Sequence, residues 1–339
     1  MTRRSSPPAE IADRLARQHV GAVVCVADLE SGEQTILTRG STGRPDGSAV
    51  TADTLFEIGS ITKTFTALVL ATMVQSGRVR LDTPVRELLP ADVVVPARDG
   101  AQITLEQLAR HTSGLPRSPN SVARDLWIVL RGGNPYAMDE QAVLAGLADT
   151  RLKRRPGQGR GSYSNLGAGL LGIALRRAAG VASYQDLVRE AVLVPLGLPD
   201  TVVQPRDGQV TRWAQGHGPR RRPVAAWHLI GMAGAGALRS TAPDLLNYLR
   251  AQLEPDMTSI GPAIRLTHQL WQPERRNTIG LGWLRTVGPT GAMWWHNGGT
   301  GGFRSFAGFS PERRRAVAVL VNDRRGPDIA GFSLLATAP

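Results

Sequence analysis

The strongest pattern in the chain is the run at 54–77, TLFEIGSITKTFTALVLATMVQSG. A short apolar segment (Leu55, Phe56, Ile58) runs into Gly59 and Ser60. From there apolar residues recur at helical spacing, through Phe65, Leu68, Val69, Met73 and Val74, as far as Gly77, a natural stop. That face is too apolar to be solvated, so a helix here packs into a core. Ser60 stands at its first turn, as an N-cap or first-turn residue, among backbone N–H groups that lack intrahelical partners. Lys63 lies one turn further on the same face.

Around this helix the pattern predicts a helix over 8–19, then strands over 21–29 and 34–39 joined by a turn at 30–33. A Gly/Pro/Ser-rich loop covers 40–51. Beyond residue 81, Pro84, Pro90 and Pro96 punctuate short segments, and Thr104 opens a capping signature closed by Gln107. Helical spacing recurs over 122–130, 139–148, 166–179 and 184–194. GMAGAG at 231–236 leads into a helix whose Pro243 suits the first turn. Strand-like runs then take over: 279–286, 292–295, 302–309 and 316–322. This order, strands then helices then strands, predicts an α+β fold with one antiparallel sheet built from both ends of the chain. Residues near Ser60 and near His296 would thereby meet.

Composition narrows the class. A chain of 339 residues, 42% hydrophobic, with a mean hydropathy of −0.15, reads as a globular protein with a large core. No apolar run reaches the roughly 20 residues that span a bilayer, and the basic N-terminus lacks the apolar stretch of a secretion signal. Cytoplasmic residence, without membrane association, is the expectation. The one cysteine, Cys25, falls in a predicted buried strand and reads as an inert apolar thiol. A net charge of +12 invites a nucleic-acid reading. However, only Lys63 and Lys153 are lysines; 38 of the 40 basic residues are arginine. The clusters at 154–155, 220–222 and 313–315 lie in loops without interleaved aromatics, so no nucleic-acid partner is expected. Where arginine is the default cation, a retained lysine marks a place where loss of a proton matters, since arginine cannot lose one.

Three segments carry candidate chemistry. Ser60 and Lys63 form a Ser-x-x-Lys pair: an alcohol needs a base within reach, and a lysine becomes one when burial and a helix N-terminus lower its pKa. Alone, the tetrapeptide reads more readily as a capping serine followed by a surface lysine. Tyr163 and Asn165 stand in a loop before an apolar helix, where a phenol can relay a proton and an amide can orient lysine and substrate; the plainer reading is an Asn cap beside a packed Tyr. His296, Asn297, Gly298 and Gly299 follow an apolar run and suit a strand edge that a substrate backbone can approach, or a plain glycine-rich turn. The amides of Ser60 and Gly299 would make an oxyanion hole. No G-x-S-x-G elbow, metal-ligand spacing among the six histidines, or phosphate-binding loop is present.

Taken together and in order, FEIGSITKTFTALVLATMVQSG, LARHTSGLP, PGQGRGSYSNLGAGLLG, AGAGALRSTAPDLLNYL and WWHNGGTGGFRSFAGFSPERRRAVAVLVN resemble the serine hydrolase family of class C β-lactamases, D-Ala-D-Ala carboxypeptidases and related esterases. The resemblance implies the β-lactamase/transpeptidase-like fold, an antiparallel sheet flanked by helices with an inserted all-helical domain. A sheet domain from 1–85 and 232–339 and a helical domain from 86–231 are expected. It implies Ser60 as nucleophile, Lys63 as base and Tyr163 as proton relay. Asn165, His296, Asn297 and Gly298 would bind substrate, the Ser60 and Gly299 amides would hold the oxyanion, and no metal or organic cofactor is needed. His296 replaces the lysine of the third motif, which removes a permanent cation, and 326–339 leaves little room for the long C-terminal helix usual in the family. The expected function is hydrolysis of a small ester or amide (D-amino-acid peptide, ester or β-lactam type) through a Ser60 acyl-enzyme. An acyltransferase or peptide cyclase using the same intermediate, and a silent ligand-binding protein, are the alternatives.

Overall fold

The computed structural model describes residues 7–159, 161–272, 275 and 277–337. The basic start of the chain and Arg160 of the glycine-rich loop lie outside the described residues. Helix α1 (Pro8–Gln18) precedes a hairpin of β1 (Gly21–Asp28) and β2 (Gln34–Gly40). After β3 (Phe56–Glu57) comes a 3-10 turn, Gly59–Ile61, that runs straight into α2 (Thr62–Gln75). The middle of the chain is helical: α3 (Leu105–Ala109), α4 (Val122–Leu130), α5 (Glu140–Ala145), α6 (Asn165–Ala179), α7 (Tyr184–Val188), α8 (Val194–Leu196), α9 (Asp207–Val210) and α10 (Ala233–Gly236). Strand β4 (Arg239–Ser240) pairs with β3, and α11 (Ala242–Leu253) and α12 (Gly261–Thr267) follow. The chain closes with β5 (Asn277–Ile279), β6 (Leu284–Gly288), β7 (Gly291–Gly299), β8 (Arg304–Ser310), β9 (Arg315–Val321) and α13 (Asp328–Ala336).

Seven strands form one antiparallel sheet in the order β2-β1-β9-β8-β7-β6-β5. The two ends of the chain meet at its centre, where Val24 faces Val319. Strand β1 is buried along its whole length because both faces of the sheet are covered. Val24 and Val26, with Val317 and Val319, pack under α1 and α13 through Ile11, Leu15 and Leu334. Val23, Cys25 and Ala27 belong to the larger core on the other face, which includes α2, α6 and α11. This two-sided covering is why β1 and β9 read as nearly continuous apolar runs. Burial also pushes the Cys25 thiol up to about 12, which keeps it unreactive.

Four expectations are corrected. The strand anticipated over 279–286 breaks between β5 and β6, because the amides of Gly280 and Leu281 turn away to the carbonyls of Trp283 and Thr267. The short run at 292–295 is instead the middle of β7, which continues through His296 to Gly299, so the glycine-rich turn is a strand. The C-terminal segment does cover the sheet, with nine-residue α13 packed on β8 and β9. The pattern at 184–194 forms α7 and a π turn, Arg189–Leu193, ahead of α8.

Strand β7 lies tight against the turn that carries Ser60. A methyl group at Gly298 would stand 1.9 Å from the Ile58 carbonyl oxygen, and Ser305 Oγ donates to that same oxygen at 2.9 Å. Gly298→Ala is therefore expected to lower unfolding free energy by at least about 2 kcal/mol. Gly208→Ala, where a methyl meets nothing, should change it by less than about 0.5 kcal/mol. Urea unfolding followed by circular dichroism checks both.

Candidate active site

Ser60 does not cap α2. It sits in the 3-10 turn ahead of the helix, which has Ile61 at its N-cap position and no side-chain cap bond. Its hydroxyl is occupied otherwise: Tyr163 OH donates to Ser60 Oγ at 2.7 Å, and Lys63 Nζ lies 3.0 Å from the same atom. One turn of helix sets the second distance. The first requires residues 103 positions apart to meet, and the start of α6 provides it. There Ser164 is the helix cap, accepting from the Gly167 amide at 2.9 Å and donating to the Pro116 carbonyl at 2.6 Å, which anchors Tyr163 beside it.

Lys63 is almost wholly buried. Helix α2 is enclosed on all sides, and its threonines are tied down within the core: Thr66 Oγ1 donates to the Gly234 carbonyl at 2.8 Å, and Thr62 Oγ1 accepts from the Leu238 amide at 3.1 Å. These bonds fix the α10 segment so that the Ala235 carbonyl accepts from Lys63 Nζ at 2.6 Å. Burial, and then the Arg117 guanidinium, hold the Lys63 pKa well below the ordinary lysine range. A neutral amine that gives one N–H to Ala235 keeps its lone pair for the Ser60 hydroxyl. Tyr163 is the complement: burial pushes its phenol up to about 12, so it carries its proton at neutral pH. Its ring rests on His111, centroids 4.7 Å apart, with the Arg117 guanidinium 5.1 Å from its centre. His111 Nδ1 accepts from the Ser164 amide at 3.2 Å.

Asn165 lies beside this group, but it does not orient the lysine. Its Nδ2 donates to Tyr136 OH at 2.6 Å, and its buried Oδ1 has no partner among the described residues. Nor is it the cap, since Ser164 takes that place. His296 is buried in β7, donates through Nδ1 to the Asn297 carbonyl at 2.6 Å, and has its pKa lowered to about 3 by burial and by Lys63. It is a neutral group buried behind the cavity, which Asn297, Gly298 and Gly299 line and His296 does not. The pairing of β6 with β7 ends at Trp295, whereas β8 pairs on through Gly299. One side of the His296–Gly299 stretch is thus left without a strand, the edge foreseen for a substrate backbone. Gly59 backs onto Gly299 so closely that a methyl there would lie 2.5 Å from the Gly299 amide nitrogen. This packs the turn that carries Ser60 directly against Gly299.

Ser60, Tyr163, Asn165, Asn297, Gly298 and Gly299 line one cavity of about 750 Å³. Several other residues on its wall had no signal in the sequence. Trp227 stands across from Tyr136, ring centroids 5.9 Å apart. Its backbone is clamped by a buried ion pair between Glu57 and Arg239, 3.6 Å apart. Glu57 Oε1 accepts from the Trp227 amide at 3.2 Å, and Arg239 Nη2 donates to its carbonyl at 3.2 Å. Arg117, Arg304 and Arg324 also reach this cavity, against the single carboxylate of Asp328. Only HTSGLP pointed to His111 and its surroundings. The arrangement places a hydroxyl between a base and a proton donor, beside Gly299 and an open strand edge, which suits acyl transfer to a serine.

The β-lactamase family model matches residues 9–335. The chain is similar to the D-alanyl-D-alanine-carboxypeptidase/endopeptidase AmpH of Escherichia coli (strain K12), 29% identical over 92% of this chain and 83% of that protein. It also resembles a β-lactamase of Pseudomonas fluorescens, 24% identical over 91% and 90%. Among solved structures, that of a β-lactamase/D-alanine carboxypeptidase from Pseudomonas syringae superposes with a TM-score of 0.83 at 21% identity, covering 97% of this chain and 96% of the other. The fold is thus the β-lactamase/transpeptidase arrangement of an antiparallel sheet flanked by helices.

The two shifted groups fix a pH profile. Below the lowered pKa of Lys63 the amine is an ammonium and cannot take a proton; above it, it can. Hydrolytic kcat/KM is expected to rise with pH through that point and to hold until Tyr163 ionises near 12. Lys63→Arg, which stays charged, should lower kcat/KM by about 10³-fold or more, with no recovery at alkaline pH. Steady-state rates on an ester across pH check this.

Proposed function

The chain belongs to the β-lactamase family, and from that premise we propose that it cleaves a small ester or amide through an acyl-enzyme on Ser60. It is a serine hydrolase of that family; the substrate and the part played by each residue are the proposal. The observation that carries it is Ser60 Oγ held between Lys63 Nζ at 3.0 Å and Tyr163 OH at 2.7 Å. Lys63 takes the Ser60 proton as Oγ bonds to the substrate carbonyl carbon, and the carbonyl oxygen gathers charge at the Ser60 and Gly299 amides. The bond to the leaving alcohol or amine breaks as Tyr163 gives that atom its proton, and the proton gained by Lys63 then restores the Tyr163 phenol. Water then adds to the acyl carbon, the free acid leaves, and one water proton ends on Ser60 Oγ.

Asn165 borders the cavity and its Oδ1 has no partner among the described residues, which makes it the acceptor we assign to an amide N–H of the substrate. Since His296 is neutral, a substrate carboxylate would be met by Arg304 or Arg324. The names of the relatives, a D-alanyl-D-alanine carboxypeptidase and a β-lactamase, agree with D-peptides and β-lactams as candidate substrates beside simple esters. The site gathers Ser60, Lys63 and His296 from a sheet unit (1–85 and 232–339), and Tyr163 and Asn165 from a helical insertion (86–231). That division is part of the proposal.

Intact-mass measurement after a fluorophosphonate or a penicillin is expected to show a single adduct on the wild type and none on Ser60→Ala. An adduct that survives Ser60→Ala would sink the proposal. Tyr163→Phe separates the proton donor from the nucleophile. It should slow hydrolysis of a D-amino-acid amide by about 10²- to 10⁴-fold and slow a p-nitrophenyl ester far less, because nitrophenolate leaves without a proton. Equal losses on both would count against a donor role.

A further inference from the structure

Helix α4 (Val122–Leu130) is unlike the others of its length, because it buries none of its side chains. Val122, Leu126, Trp127 and Leu130 are 86%, 58%, 54% and 76% exposed. Large apolar side chains exposed elsewhere are scattered; these four share one short helix. A nine-residue helix has little stability of its own, and its fixed points are few: Ser121 caps it, and Asn120 Nδ2 donates to Asp125 at 3.0 Å. An exposed apolar cluster of this kind marks a place that another molecule covers.

Its position says which molecule. Val129 and Leu130, with Gly132 and Gly133, line the same cavity as Ser60. Val122, Leu126, Val129 and Leu130 fall at i, i+4, i+7 and i+8, a single stripe. At the helical rise it extends about 12 Å outward from the cavity. Val224 and the clamped Trp227 line the same cavity. Tyr163, the donor to the leaving group, also borders a second cavity of about 810 Å³ with His111, Arg285 and Trp295, which no residue of α4 lines. That second cavity offers room beside Tyr163 apart from α4, so we assign it to the leaving group and the α4 side to the acyl group.

We propose that the α4 stripe is the track for an extended hydrocarbon acyl chain. The preferred substrates are then esters or amides whose carbonyl sits at Ser60 and whose chain runs between Trp227 and Leu130 onto Leu126. This rests on the acyl-enzyme reading above.

The test is kcat/KM for p-nitrophenyl acetate, butyrate and octanoate, each kept below the concentration at which it aggregates. Each buried methylene is worth about fourfold, and partial cover along an open stripe should still give octanoate at least about a tenfold advantage over acetate. In the double variant Leu126→Ser/Leu130→Ser the octanoate-to-acetate ratio is expected to fall by about fivefold or more. Circular dichroism and fluorophosphonate labelling of Ser60 report that the variant is folded. A wild-type ratio at or below one would overturn the inference, as would a ratio untouched by the double variant. So would a preference appearing only above the aggregation threshold, which would assign the stripe to a lipid surface. If the wild type takes no fluorophosphonate at Ser60, the acyl-enzyme reading itself fails; a labelled Ser60 with a flat chain-length profile removes the chain track alone.

Discussion

An amine enclosed in a dry interior is the constraint on which the rest of this structure turns. Burying an ammonium ion costs several kcal/mol, so the Lys63 site favours the neutral amine. That requires α2 to be covered on every side, which the sheet core, α6, α10 and α12 together do. It also requires the remaining polar groups of the helix to be bonded, as Thr62, Thr64 and Thr66 are, to Leu238, Tyr248 and the α10 segment. A half-buried serine at the mouth of this enclosure then has an enclosed base behind it.

Much of this was legible in the chain because it depends on short-range spacing. The strand–helix–strand order pointed to one antiparallel sheet built from both chain ends, though not to its strand order, and Ser60 and Lys63 are joined by one helical turn. Tyr163 and His296 were found through motif context, not spacing, and the fold brings both to the site. What spacing could not show is orientation. The cap reading of Ser60 failed because the hydroxyl has two better partners arriving from elsewhere in the fold. Asn165 was placed at the site for its amide, yet which group that amide would hold depended on Tyr136, nearly thirty residues away in a segment without periodic pattern.

The residues that escaped notice share a property. Trp227, Glu57 and Arg239 act through a buried pair that grips a backbone, and nothing in the composition around any one of them announces the other two. The arginines at the cavity were hidden by their abundance: among 38 arginines, Arg117, Arg304 and Arg324 look like background until the fold sets them beside one serine. The lysine was conspicuous for the opposite reason.

The partner of Lys63 is a main-chain oxygen. No replacement of the Ala235 side chain can delete it, so the contact is insulated from ordinary point mutation in a way that a side-chain acceptor would not be. Its weak points lie a few ångströms off. Helices α6 and α10 touch at Gly172 and Gly234, where a methyl on either would come within about 3 Å of the other's backbone. A working base thus depends also on two residues that carry no functional group at all, and a single added methyl there would reach the lysine through the backbone it displaces.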